Sequence, residues 1–264
     1  MYPIIDAHVH LDLYEPAVLE KLLQSCDLYR IQGLLTVSMN AKSCLRNLRL
    51  KRQLPHAVFP AFGYHPEQAP PAEEDMENLF EWMDRHRDEM VAIGEIGLPY
   101  YMRKAAENRG EHFNDEPYLL LLERFVQLAV RLDKPVVLHA VYEDAERVCD
   151  LLEKQGAEKA HFHWFKGSGK TMARMMKRGY YVSVTPDVVY KPEIQAVVRA
   201  YPLELLMVET DGPWPFRGVF EGQTTHPRMI RESIRQISML KGMPEQEAAM
   251  VLFENTRRFY NLPL

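Results

Sequence analysis

The sequence predicts an α/β fold, a (β/α)8 TIM-type barrel in a single domain over residues 1–264. Three observations lead there. Short β-type runs alternate with longer helical runs along the whole chain. The β-type runs are almost entirely apolar, as strands of a parallel sheet covered on both faces must be. The chain has 264 residues, 47% of them hydrophobic, which is enough for one large barrel. An open doubly wound sheet is the other topology that βα alternation permits, and eight units favour closure.

The elements follow in order. Pro3 to His8 reads as a strand, and Glu15 to Tyr29 as a helix with Val18, Leu19, Leu22 and Leu23 on one face. Gly33 to Val37 is the second strand, with a basic helix near Lys42 to Arg52. Ala57 to Phe62 is the third, with a helix from about Glu73 to Arg87. Met90 to Glu95 is the fourth. Arg103 to Asn114 is expected to be a loop, too polar for a core position, and Tyr118 to Leu132 a strongly apolar helix. The second half repeats the rhythm: strands at Pro135–His139, Ala160–Phe165, Tyr180–Val184 and Leu205–Glu209, with helices at Glu143–Lys154, Thr171–Arg178 and Glu193–Tyr201. Helices from Pro227 to Lys241 and Pro244 to Phe253 close the chain.

Composition narrows the classes. The formal net charge is -5, so the overall charge gives no support to electrostatic tracking along nucleic acid, and any such contact must be local. The three cysteines, Cys26, Cys44 and Cys149, are far apart and form no CxxC, which argues against a disulfide framework or a zinc ribbon. There is no basic-then-apolar leader pattern and no apolar run of membrane-spanning length. The expectation is a cytoplasmic protein with no membrane association and no obligate protein partner.

Metal-ligating residue types collect at the C-terminal ends of the predicted strands. His8 and His10 end the first, Glu95 the fourth, His139 the fifth and His163 the sixth; His65 follows the third and Asp211 the eighth. In a barrel those ends converge on one face, where active sites lie. Residues i and i+2 of a strand share a side, so His8 and His10 can reach one ion from one wall. His139 and His163, on neighbouring strands, can share a second ion, and the two carboxylate oxygens of Glu95 can bridge the pair. Asp211 adds a hard oxygen ligand. An imidazole and carboxylate set suits Zn, Mn, Fe or Ni, whereas Mg or Ca alone would call for more oxygen ligands. Two divalent ions are expected, their identity open among Zn, Mn, Mg, Fe and Ni.

These residues sit in motifs that resemble the TatD-like metal-dependent hydrolases, a family related to the amidohydrolases. The resemblance runs in order through Asp6-Ala7-His8-Val9-His10-Leu11-Asp12, Gly63-Tyr64-His65-Pro66, Gly94-Glu95-Ile96-Gly97-Leu98, Leu138-His139, His163-Trp164-Phe165-Lys166-Gly167, Glu209-Thr210-Asp211 and Asn255-Thr256-Arg257-Arg258-Phe259. It implies a distorted TIM barrel with one ion held by His8, His10, Glu95 and Asp211. The second would be held by Glu95, His139 and His163, with His65 touching a phosphate or leaving group. It also implies phosphodiesterase activity, with deoxyribonucleases among the members. The chain departs from the family pattern where Val141 replaces a common Arg, Pro99 a common Asp, and Trp164 and Lys166 the Cys and Ser of H-C-F-S-G.

The expected chemistry is hydrolysis by metal-activated water. Asp211 would orient the water and accept its proton, with Glu95 bridging the ions. His65 and Lys166 would offset charge on the substrate, Lys166 taking the place of the missing Arg. The substrate is expected to be a phosphodiester, with DNA as a candidate. A C–N or ester bond in a small molecule is the alternative on the same ligands. A nucleic-acid-binding scaffold with a vestigial site is disfavoured by the negative charge and the complete ligand set.

Several other signals are discounted. Gly167-Ser168-Gly169-Lys170-Thr171 resembles the tail of a P-loop, but Trp164 stands where the first Gly is required, so a turn entering a helix is the reading. Lys170, Arg174, Lys177 and Arg178 read as a solvated helix face. His161 reads as a core residue or a support for His163, and Trp164, Trp214 and Phe216 as pocket walls.

Overall fold

A computed structural model describes residues 1–264. Eight strands run in the order of the sequence: β1 (Ile4–Val9), β2 (Ile31–Thr36), β3 (Val58–Phe62), β4 (Ala92–Gly97), β5 (Val136–His139), β6 (Ala160–Phe162), β7 (Tyr181–Val184) and β8 (Leu206–Val208). Every hydrogen-bonded neighbour pair is parallel. Ten α-helices accompany them: α1 (Pro16–Gln24), α2 (Ala41–Gln53), α3 (Glu73–Arg85), α4 (Tyr100–Asn108), α5 (Glu116–Leu132), α6 (Glu143–Gln155), α7 (Gly169–Lys177), α8 (Pro192–Ala200), α9 (Ile230–Lys241) and α10 (Glu245–Phe259).

The ring closes between β8 and β1 just beyond the strand ends. Asp211 N–H donates to His8 O at 2.9 Å and His10 N–H to Gly212 O at 2.8 Å. Asp6 braces the same seam from within. Its Oδ1 accepts the Thr210 amide at 2.9 Å and its Oδ2 the Thr210 hydroxyl at 2.5 Å.

Alternation along the strands separates two layers. Ile5, Ala7, Phe59, Ala61, Val137 and Met207 belong to one buried cluster that fills the barrel interior. Continuing at every second residue, Phe59 and Ala61 lead to His65, Val137 to His139, and Met207 to Glu209 and Asp211, so the site stands on top of this plug. β1 and β4 break the alternation. Each carries a register shift, between Asp6 and Val9 and between Ile93 and Ile96. Such an irregularity re-aims side chains, and here it turns His8, His10 and Glu95 inward out of step with the apolar residues below. The larger cluster lies between the sheet and its helices.

The sequence reading differs from the structure most clearly in three places. The stretch read as a polar loop from Arg103 begins inside α4, and Arg103 is buried. Its guanidinium is neutralised by Asp144 at 2.6 Å and Glu143 at 3.2 Å, partners brought by α6 and invisible to a local reading. β6 stops at Phe162, so His163 lies just past the strand. α10 runs on to Phe259, because the polar Asn255 and Thr256 are buried. The Asn255 side chain donates to Leu203 O and Leu206 O at 2.7 and 2.8 Å, anchoring the helix beneath β8.

Candidate metal centre

Glu95 is fully buried at the middle of the site and presents its two oxygens to two separate groups. Oε2 lies 3.2 Å from His8 Nε2 and 3.4 Å from His10 Nε2, and each of these nitrogens is 3.4 Å from Asp211 Oδ1. Oε1 lies 2.7 Å from His163 Nε2, 2.9 Å from His139 Nδ1 and 3.3 Å from His65 Nε2. The six residues expected to form the centre are therefore brought together around one bridging carboxylate.

Local structure explains the placement of Glu95. A Cβ on Gly94 would come within 2.6 Å of Val137 Cβ, and one on Gly97, whose φ is +155°, within 2.0 Å of His139 O. The two glycines let β4 approach β5 at the point where Glu95 must meet His139. On the other wall, Asp211 has a left-handed φ of 49°, a conformation Asp tolerates, and Trp164 one of 38°, which is rare for a bulky residue. Trp164 is held there by its amide on Glu209 Oε1 at 2.7 Å and its indole N–H on Asp187 Oδ2 at 3.0 Å.

The donor set fits divalent cations. His8 Nε2, Glu95 Oε2 and Asp211 Oδ1 are buried and have no hydrogen-bond partner, although they crowd together. Atoms that aim at a shared point behave this way. Metal–ligand bonds of about 2.1 Å put neighbouring ligand atoms roughly 3.0–3.4 Å apart, which matches the spacing of His8, His10, Glu95 and Asp211. Three groups of His, Asp and Glu each bring ligand atoms within 4.8 Å of one another: His8 with Glu95 and His163, His8 with His10 and Asp211, and His65 with Glu95 and His139.

Electrostatics point the same way. Burial opposes charge on Glu95, but His163, His65, His8 and His10 hold its carboxyl well below the usual range. Asp211 is likewise lowered against burial by His10 and His8. The imidazoles respond in kind. His10 is pushed up to about 10 by Asp211 and Glu95 in spite of burial, and His163 is raised well above its ordinary value. Two buried carboxylates thus demand positive charge, from protons or from a cation.

His65 differs from the others. Its Nδ1 accepts the Glu67 amide at 3.1 Å, so a neutral ring carries its proton on Nε2. That nitrogen faces the site as a donor. Burial lowers the His65 pKa and favours the neutral ring.

A cavity of about 260 Å³ opens above the centre, walled by Tyr101, Val141, Trp164 and Trp214. Lys166 reaches into it, buried, with Nζ 4.2 Å from the Trp164 ring and 3.3 Å from the Tyr101 hydroxyl. Phe216 does not line the cavity but backs Trp164, ring centroids 6.1 Å apart. His161 lies below the centre, between the Tyr260 hydroxyl at 2.5 Å and Ser183 Oγ at 2.6 Å. The P-loop-like stretch is a turn entering α7, with Ser168 Oγ accepting the Thr171 amide. Most of the basic residues at α7 are spent on α6: Lys170 pairs with Glu146, Arg174 with Asp150 and Glu153, and Arg178, just past the helix, with Glu153, while Lys177 is exposed.

Sequence reasoning missed Glu67 and gave Glu209 no role beyond its motif. Glu67 Oε1 is 3.3 Å from His139 Nε2, and Glu209 Oε1 is 3.6 Å from His163 Nδ1. Glu209 was legible as the acid two residues before Asp211. Glu67 carried no signal, because its partners lie on other elements.

A (β/α)8 barrel with histidines and acids at the C-terminal ends of its strands is the architecture of a metal-dependent hydrolase. Residues 5–261 match the model of the TatD-related DNases, and the chain belongs to that family. An uncharacterized metal-dependent hydrolase of Haemophilus influenzae is 36% identical, covering 98% of this chain and all of the relative. Deoxyribonuclease TATDN3 of Homo sapiens is 27% identical, covering 97% of this chain and 94% of its own length. Among solved structures, the TatD homolog YjjV of Escherichia coli superposes with a TM-score of 0.83 at 26% identity, covering 98% of both chains.

Proposed function

We propose that the chain, as one hydrolase domain over residues 1–264, hydrolyses phosphodiesters with two divalent cations. The cations would be held by His8, His10, Glu95 and Asp211 on one side and by Glu95, His139 and His163 on the other. The observation that carries this reading is the division of Glu95, with Oε2 facing one group and Oε1 the other. When bound, the cations supply Lewis acidity that polarises the scissile bond and makes water acidic enough to attack at neutral pH.

The protein's own groups do the rest. Asp211 turns Oδ1 toward His8 and His10, which leaves Oδ2 to orient the water and accept its proton. His65 Nε2–H donates toward the leaving oxygen. Lys166 places a positive charge beside the non-bridging oxygens, as an Arg at position 141 would. The walls of Tyr101, Trp164 and Trp214 exclude water and present aromatic faces to the rest of the substrate.

DNA is a natural candidate substrate, since the human relative is named a deoxyribonuclease. The pairing of Lys170, Arg174 and Arg178 with α6 leaves Lys166 as the cation that reaches the cavity. The apolar Val141 favours a second reading, a C–N or ester bond in a small molecule, on the same ligands. A cytoplasmic location is supported by three buried free cysteines; no helix is long and apolar enough to cross a membrane.

The test is metal content together with turnover. Purified protein should carry divalent metal and cleave bis(p-nitrophenyl) phosphate and single-stranded DNA with Mn, Zn or Mg supplied. Cleavage of amides but not phosphodiesters would select the second reading. Neither metal nor turnover on any of them would sink both.

A further inference from the structure

Glu67 lies on the loop after β3, is mostly buried, and belongs to none of the groups assigned above. Its carboxylate makes three approaches at once. Oε1 accepts the Tyr101 amide at 2.7 Å, Oε2 accepts the Met102 amide at 2.7 Å, and Oε1 stands 3.3 Å from His139 Nε2. Its own backbone N–H donates to His65 Nδ1 at 3.1 Å. Those four contacts touch a proposed metal ligand, a proposed substrate donor and the first turn of α4.

We infer that Glu67 is a positioning residue that sets opposite tautomers on His139 and His65 and ties the metal centre to the substrate wall. The inference rests on the ligand set proposed above. A carboxylate facing the outer nitrogen of an imidazole keeps the proton there and turns the inner lone pair to a cation. At His139 this leaves Nδ1, 2.9 Å from Glu95 Oε1, as the ligating atom. At His65 the Glu67 amide occupies the outer lone pair, so the inner nitrogen carries the proton and donates to substrate. One residue thereby makes one histidine an acceptor of a cation and its neighbour a donor of a hydrogen bond.

The same carboxylate caps α4. Pro99, at the N-cap position of that helix, provides no side-chain cap, and Glu67 satisfies two of its orphan amides from 34 and 35 residues away. α4 carries Tyr101, whose hydroxyl receives the Lys166 ammonium at 3.3 Å. A shift of Glu67 would therefore move His139 and the Tyr101–Lys166 wall together.

Co(II) titration of metal-free full-length protein, followed by visible absorption, tests this. Wild type should bind two Co(II). Glu67→Gln keeps an acceptor for α4 but removes the charge behind His139, and should weaken one of the two ions about 10–100-fold while sparing the other. The ion affected should be the one weakened in His139→Ala. In the His139→Ala background, Glu67→Gln should cost less than twofold, because its partner is gone. Glu67→Asp, which keeps the charge and shortens the reach, gives the same reading if the Gln variant does not fold. Two affinities within twofold of wild type in Glu67→Gln, or in Glu67→Asp where the Gln variant does not fold, would overturn the inference. Equal losses with and without His139 would overturn it too, by making Glu67 a direct ligand. Wild-type protein that binds a single Co(II) would instead bring down the two-ion reading and this inference with it.

Discussion

The two sides of the site are built by different means. His8, His10 and Asp211 stand along the β8–β1 seam and are fixed by backbone: the Asp211 amide on His8 O, the His10 amide on Gly212 O, and the Asp6 brace behind them. His139 and His163 stand across the barrel and are backed by side chains, Glu67 and Glu209. Main-chain hydrogen bonds of a closed ring leave little freedom, so the seam side is rigid as long as the barrel is. The opposite side depends on long-range carboxylates, and Glu67, on a loop, can be removed without touching the strands. Glu95 is the carboxylate that both sides share. On the proposed two-cation reading, affinity on the seam side should follow fold stability, whereas on the other side it should be tunable separately.

Removing the shared residue should have the largest effect. Glu95→Gln should abolish binding of both ions under ordinary purification and lower kcat by on the order of 10³-fold or more, the scale of losing the metal's contribution together with its electrostatics. Metal analysis of the purified variant reads this, and a variant that retains both ions would break the picture of Glu95 as the bridge. Asp211→Asn should lower kcat by about 10²–10⁴-fold as a lost general base, with KM little changed. Steady-state kinetics at saturating Mn would expose a binding role instead if KM rose and kcat held.

Metal affinity should rise with pH. The carboxylates raise the proton affinity of His10, to about 10, and of His139 and His163. A cation therefore competes with protons for these rings. Each displaced proton contributes on the order of tenfold in affinity per pH unit below the raised pKa. Titrations at about pH 6 and 8 measure the slope, and a pH-independent affinity would contradict it.

Lys166→Met should raise KM for bis(p-nitrophenyl) phosphate about tenfold with little change in kcat, the loss of one charged contact present in both ground and transition states. The smallest effect concerns the seam. Asp6→Ala should cost about 1–3 kcal/mol through unpaired buried donors. That is a fall in the thermal midpoint of a few degrees, at roughly 2–4 °C per kcal/mol for a chain of this size. The same variant should weaken the seam-side ion and spare the other, whereas Glu67→Gln should do the reverse. Equal losses at both ions in either variant would erase the distinction between the two sides.

The sequence by itself determined the fold class and the residues that gather at the site. Strands reveal themselves through apolar runs, and barrel topology then dictates that residues at their C-terminal ends meet, so His8, His10, Glu95, His139, His163 and Asp211 were legible without coordinates. Those inferences need only local periodicity and one global rule. The tertiary structure alone decided the rest. The register shifts that turn His8, His10 and Glu95 inward depend on neighbouring strands. The burial of Arg103 depends on Asp144 from α6, and the role of Glu67 on amides 34 and 35 residues ahead of it. A polar side chain reads as solvent-exposed until its partner is known, because its cost of burial is set by a group elsewhere in the chain.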